Sequence, residues 1–192
     1  MASGLDEIVR FAVYTIRSPR GAARALLGMG LPASAAWMAL ALVCVLSAML
    51  FHLSLGLLTT AEQAELAGLL GNPLGTVVMS ALALSILVFG SFLIGRAFGG
   101  RGQLDQAALL IAWLQAIFLM LQLVQVIFMM ILPVVAELIG TFGLALFLWL
   151  LTPFVAELHG FQSVWKVLFG IIGSVFAIAF ALSILIVLVA GI

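Results

Sequence analysis

Five uninterrupted apolar runs, over 32–57, 74–95, 107–132, 134–156 and 164–190, dominate this chain. A helix needs about 20 apolar residues to cross the hydrocarbon core of a bilayer, and each run meets that length. The runs are continuous rather than alternating ten-residue segments, which excludes a transmembrane barrel. Composition agrees, because 66% of the 192 residues are apolar and 7% are charged, whereas a soluble domain carries about 25% charged residues to clothe its surface. The expected fold class is therefore all-α, a polytopic membrane helical bundle of five transmembrane helices preceded by N-terminal amphipathic interfacial helices. Residues 1–31 are the expected amphipathic cytoplasmic or interfacial segment, and residues 32–192 the five-span transmembrane domain. The run over 32–57 starts too late and runs too long for a cleaved export signal, so it is expected to remain as a signal anchor.

The third and fourth runs are separated only by Pro133. One unbroken helix over 107–156 would be roughly 75 Å long, far more than a bilayer's hydrocarbon thickness, so a tight hairpin at Pro133 is expected instead. Basic residues then orient the bundle. Arg10, Arg17, Arg20 and Arg24 precede the first span, Arg96 and Arg101 lie between the second and third, and Lys166 opens the fifth. Five crossings put all of these on one side, with Glu62, Glu65 and Glu137 on the other. By the positive-inside rule the N-terminus is expected in the cytoplasm and the C-terminus outside. Trp37, Trp113, Trp149 and Trp165 fall near the cytoplasmic ends of their spans, as an interfacial belt would.

Ahead of the first span, Leu5, Ile8, Val9, Ala12 and Ile16 recur at helical spacing, opposite Asp6, Arg10 and Arg17. Ser3 with Asp6 is an N-cap pattern, and Pro19 suits the first turn of a second helix. Arg10, Arg17, Arg20 and Arg24 are the candidate contacts to anionic headgroups; packing of both helices under the bundle is the alternative. Between the first two spans, Thr59 with Glu62 and the stop Gly71-Asn72-Pro73 predict a short outer helix.

Little in the chain suits catalysis. Ionisable groups within the spans are nearly absent, which argues against an ion-coupled transporter. No metal quartet, phosphate loop or activated nucleophile is spelled out, and no cofactor is expected. Zero net charge argues against nucleic acid as a partner. Gln115, Gln122 and Gln125 share one face of the third span, as interhelical hydrogen-bonding groups or as the lining of a small oligomeric channel or transporter. Gly95 with Gly99, and Gly173 with Ala177 and Ala181, have the spacing of close helix contacts inside the bundle or between copies. The densest polar cluster, Arg96, Arg101, Asp105, Glu157, His159 and Lys166, is the candidate interaction surface of the cytoplasmic face. There Arg96 or Arg101 is expected to pair with Glu157, and His159 to meet Asp105.

The stretches FGGRGQLDQAALLIAWLQA (98–116) and FVAELHGFQSVWK (154–166), with the proline of MMILPVVAEL (129–138), resemble the Yip family of membrane proteins, specifically its short bacterial members. The resemblance implies a non-enzymatic helical protein of the bacterial inner membrane, a scaffold or accessory subunit whose partners are membrane lipids and other membrane proteins or further copies of itself. Eukaryotic members place a long soluble segment with an acidic, tyrosine-containing motif before their spans. About thirty residues stand there in this chain, without that motif, so the resemblance does not carry GTPase binding over.

Overall fold

A computed structural model describes residues 4–56 and 72–190, with side chains described for all of these but 181, 182, 185, 186 and 188–190. Its described regular structure is entirely helical: α1 (Gly4–Arg17), α2 (Pro19–Gly28), α3 (Ala33–Leu55), α4 (Pro73–Ala97), α5 (Leu104–Ile131), α6 (Pro133–His159) and α7 (Val164–Ala190). The helices α3 to α6 are each long and apolar enough to cross a membrane, and α7 runs for 27 residues. The chain is a multi-pass membrane protein with a helical bundle fold. Ser3, the predicted outer helix with Glu62 and Glu65, and the side chain of Ala181 lie outside the described residues.

Local chemistry sets the helix ends. Asn72 caps α4 through Oδ1, which accepts from the Gly75 N–H at 2.8 Å. Gln103 and Gln106 close a reciprocal capping box on α5. Leu132 alone, extended at φ −151°, separates α5 from α6, and Pro133 takes the first helical position, where its missing N–H costs nothing. The two helices pack against each other as the hairpin that helix length required.

The hairpin tip also sets the depth of the bundle in the membrane. Met130, Ile131, Leu132 and Val134 are exposed there, and four adjacent apolar side chains belong in lipid rather than water. About 20 residues back from the tip, the length of one hydrocarbon crossing, both helices reach the neighbourhood of Trp113 and Trp149. Beyond that level the helices are covered by protein. Leu110, Leu114, Leu150, Phe154 and Ala156 are almost fully buried, and α2 lies on α6 and α5 through Ala22 and Ala23, both at 0% exposure. The core of the molecule thus sits at its basic end, while much of the opposite half faces lipid directly.

The helix α1 lies against this end with its apolar arc divided. Ala12 and Thr15 are buried, whereas Leu5, Val9, Val13 and Ile16 stay exposed beside them. This division suits a helix at the interface, with one flank on the bundle and one on lipid.

Candidate functional site

At the basic end, the loops that precede α5 and α7 meet around one side chain. The helix α6 ends in a Schellman turn: Gly160 is left-handed at φ 73°, its N–H donates to the Glu157 carbonyl, and the Phe161 N–H donates to Ala156 at 2.8 Å. This turn directs His159 inward, where it is 3% exposed and stacked on Phe161 with ring centroids 5.6 Å apart. The ring enters a seat without side chains. A Cβ placed on Gly95, Gly100 or Gly102 would overlap the imidazole. The Gly102 N–H donates to Nδ1 at 3.2 Å, which makes Nδ1 an acceptor. Nε2 must then carry the proton of a neutral ring, and it donates to the Ser91 carbonyl at 3.0 Å. The backbone of the same loop closes the seat, with the Arg101 N–H on the His159 carbonyl at 3.4 Å. One imidazole therefore joins α4, the α4–α5 loop and α6.

The N-terminal helices are clamped to the same region. Arg20 donates from Nη2 to the Phe161 carbonyl at 2.5 Å and to the Gln162 carbonyl at 3.1 Å. Arg24 grips both carboxylate oxygens of Glu157, at 2.9 and 3.3 Å. That hydrogen-bonded carboxylate makes the guanidinium bind its proton still more tightly than usual. Because Arg24 remains exposed, its main contribution is the position of α2 rather than stability. Two of the tryptophans, Trp113 and Trp149, hold α1. Trp113 donates to Thr15 Oγ1 at 3.0 Å and packs on Phe11 with the two rings tilted by 51°, and Trp149 donates to the Ile16 carbonyl at 3.0 Å. Thr15 in turn donates to Phe11.

Several expectations are corrected by this arrangement. Glu157 pairs with Arg24, not with Arg96 or Arg101, because α2 reaches it first along the buried face of α6. His159 does not meet Asp105; its two ring nitrogens are taken by backbone groups, while Asp105 sits in the first turn of α5, where the helix dipole favours a carboxylate. Arg96 lies over the Phe92 ring at 5.5 Å. Arg20 and Arg24, expected at lipid headgroups, bind protein, whereas Arg10 and Arg17 on α1 are exposed. Gly95 does not serve a GxxxG helix contact. Gly95 faces His159, and Gly99, at φ 85°, has nothing near it. Gly173 and Ala177 point out of the bundle rather than into it. The glycines that seat His159 were missed as a set; their only signal was the spacing G-x₄-G-x-G ahead of a predicted helix.

Of the glutamines, Gln115 donates to Ser47 Oγ at 3.1 Å, joining α5 to α3, and Gln125 donates to the Ala136 carbonyl at 3.2 Å, joining α5 to α6. Gln122 is half-buried.

A Yip1 domain family model matches residues 13–186, from within α1 to near the end of α7. The chain belongs to the Yip family. The match takes in the glycine seat, the His159 turn and the hairpin proline, so the structure gives these family-like stretches a physical role: the seat and the turn lock the basic ends of α4, α5 and α6 together, and the proline opens α6 at the opposite end. No curated protein and no solved structure matches the chain.

Proposed function

We propose that this Yip family protein is a non-enzymatic scaffold or accessory subunit of a bacterial inner membrane, with α7 as a fifth crossing, its N-terminus cytoplasmic and its C-terminus periplasmic. The observation that carries this reading is the contrast between its two regions. Arg20, Arg24, Glu157, His159, Trp113 and Trp149 at the basic end are engaged in holding α1, α2, α4, α5 and α6 together, which leaves Glu157 and His159 poorly placed for acid–base chemistry on a substrate. Within the membrane, by contrast, α4 buries only Thr76, Leu84, Val88 and Gly95 along its 25 residues, a long apolar flank open to other membrane proteins or lipid. The glutamines favour this reading over a pore, since two of the three bond to neighbouring helices rather than facing an open path. GTPase and nucleic-acid partners are not part of the proposal.

Affinity purification of the full chain in mild detergent, followed by identification of bound proteins, tests the role. A stoichiometric membrane partner, or a defined homo-oligomer, is expected; a bare monomer together with solute flux in proteoliposomes would sink the proposal. For sidedness, a reporter active only in the periplasm and fused after Ile192 should be active, and one fused ahead of Met1 should not.

A further inference from the structure

The helix α7 leans on α6 and hardly touches α4, which opens a cleft of about 720 Å³ between α4 and α7, floored by α6 through Leu151 and Val155. Its walls are apolar, and Gly90 on α4 and Gly170 on α7 widen it. From Lys166 to Ile178, both lining residues, α7 rises roughly 18 Å, close to the depth of one leaflet's hydrocarbon, about 15 Å. The one charge and the one amide among the lining side chains lie at one end, while the Ser91 and Ser174 hydroxyls donate to the Val88 and Gly170 carbonyls of their own helices. Gln162, Ser163 and Lys166 form the mouth at the basic end, and no carboxylate is among the lining residues. The Lys166 backbone N–H uses Ser163 Oγ as acceptor at 3.3 Å, leaving that hydroxyl's own proton free to donate. Among the described residues, the Lys166 ammonium has no ion pair. Arg20 holds the loop of this mouth through the Phe161 and Gln162 carbonyls.

We infer that this cleft seats one anionic glycerophospholipid from the leaflet at the basic end. An acyl chain lies along α4 and α7, and the phosphodiester sits at the mouth against Lys166, Ser163 and the Gln162 amide. Length and polarity together select this occupant. A partner helix would require no cation confined to one end, whereas a lipid phosphate at headgroup depth matches an uncompensated ammonium there. The inference is independent of the scaffold role, since it concerns how the bundle is completed rather than what it binds as a protein partner.

Native mass spectrometry of the full chain in mild detergent tests it, with palmitoyl-oleoyl phosphatidylglycerol and the matching phosphatidylcholine as probes. One tightly held phosphatidylglycerol per chain is expected, with weaker phosphatidylcholine binding. Lys166→Gln should weaken phosphatidylglycerol about fivefold, the effect of one cation near a lipid phosphate, and phosphatidylcholine less, because its choline cation offsets the phosphate charge. Gly90→Leu and Gly170→Leu should each weaken both lipids about tenfold or more, because leucine carbons take up the chain's space. A Cβ at either glycine meets nothing within 4 Å, so both variants should fold, and they lie on different helices so that a fault in one leaves the other readable. Unchanged lipid retention in the leucine variants overturns the inference. So does equal loss of both lipids in Lys166→Gln, or a shift from dimer to monomer in the leucine variants, which would assign the cleft to a second copy of the chain.

Discussion

Gly95→Ala should lower the unfolding free energy by about 1–3 kcal/mol, the range for forcing extra volume into a packed site. The added methyl overlaps the His159 ring, and the ring has no easy retreat. It is held by Phe161 on one face, by the Gly102 N–H at Nδ1 and by the Ser91 carbonyl at Nε2. Moving it breaks hydrogen bonds in a buried place, where an unmet polar group is itself costly. Combining Gly95→Ala with His159→Ala decides whether this is the cause. The double variant should be more stable than the sum of the single losses predicts, by roughly 0.5–3 kcal/mol of coupling, measured by denaturant unfolding in mixed micelles. Simple additivity would show that the histidine seat is not the source of the loss.

The second large effect comes from the uneven distribution of the core. Phe154→Ala should cost about 3–5 kcal/mol. Phe154 is 1% exposed and lies past the level of Trp149, where α2 and not lipid covers the bundle, so its truncation leaves a cavity that helices fixed by Arg20, Arg24 and His159 are slow to fill. Leu123→Ala, on the lipid-facing part of α5 and 52% exposed, should change stability by less than about 0.5 kcal/mol, because lipid tails replace the lost contacts. Comparable losses at the two positions would show that stability is spread evenly along the bundle.

Much of the fold was legible from hydropathy and helix punctuation. The apolar runs are helical, and the break at Pro133 is a hairpin; α6 runs on past the expected end at 156 to His159, where Gly160 stops it. The amphipathic pattern before the first span also appears as two helices, although their basic face was legible only as charge. The site was not legible in the same way. Arg24 and Glu157 are 133 residues apart, and His159 and Gly102 are 57 apart. Nothing local distinguishes an arginine that will grip a carboxylate across the bundle from one that will meet a headgroup. The Gly95 and Gly99 pair misled for the same reason: the spacing that suits a facing helix suits a facing side chain equally well.

What the sequence determined by itself is whatever depends on a run of neighbouring residues: the solvent the chain needs, the length of each helix, the point where a crossing must turn back and the end that carries the cations. Transfer of apolar surface and satisfaction of backbone hydrogen bonds are local, additive quantities, and so they can be read along the chain. The tertiary structure alone decided which cation meets which acceptor, that three glycines make room for one imidazole, and that α7 stands away from α4 to open a cleft. These outcomes depend on the rotation and register of helices distant in sequence. A shift of one residue turns a helix face by about 100°, so it exchanges every partner while leaving the composition of each helix as it was.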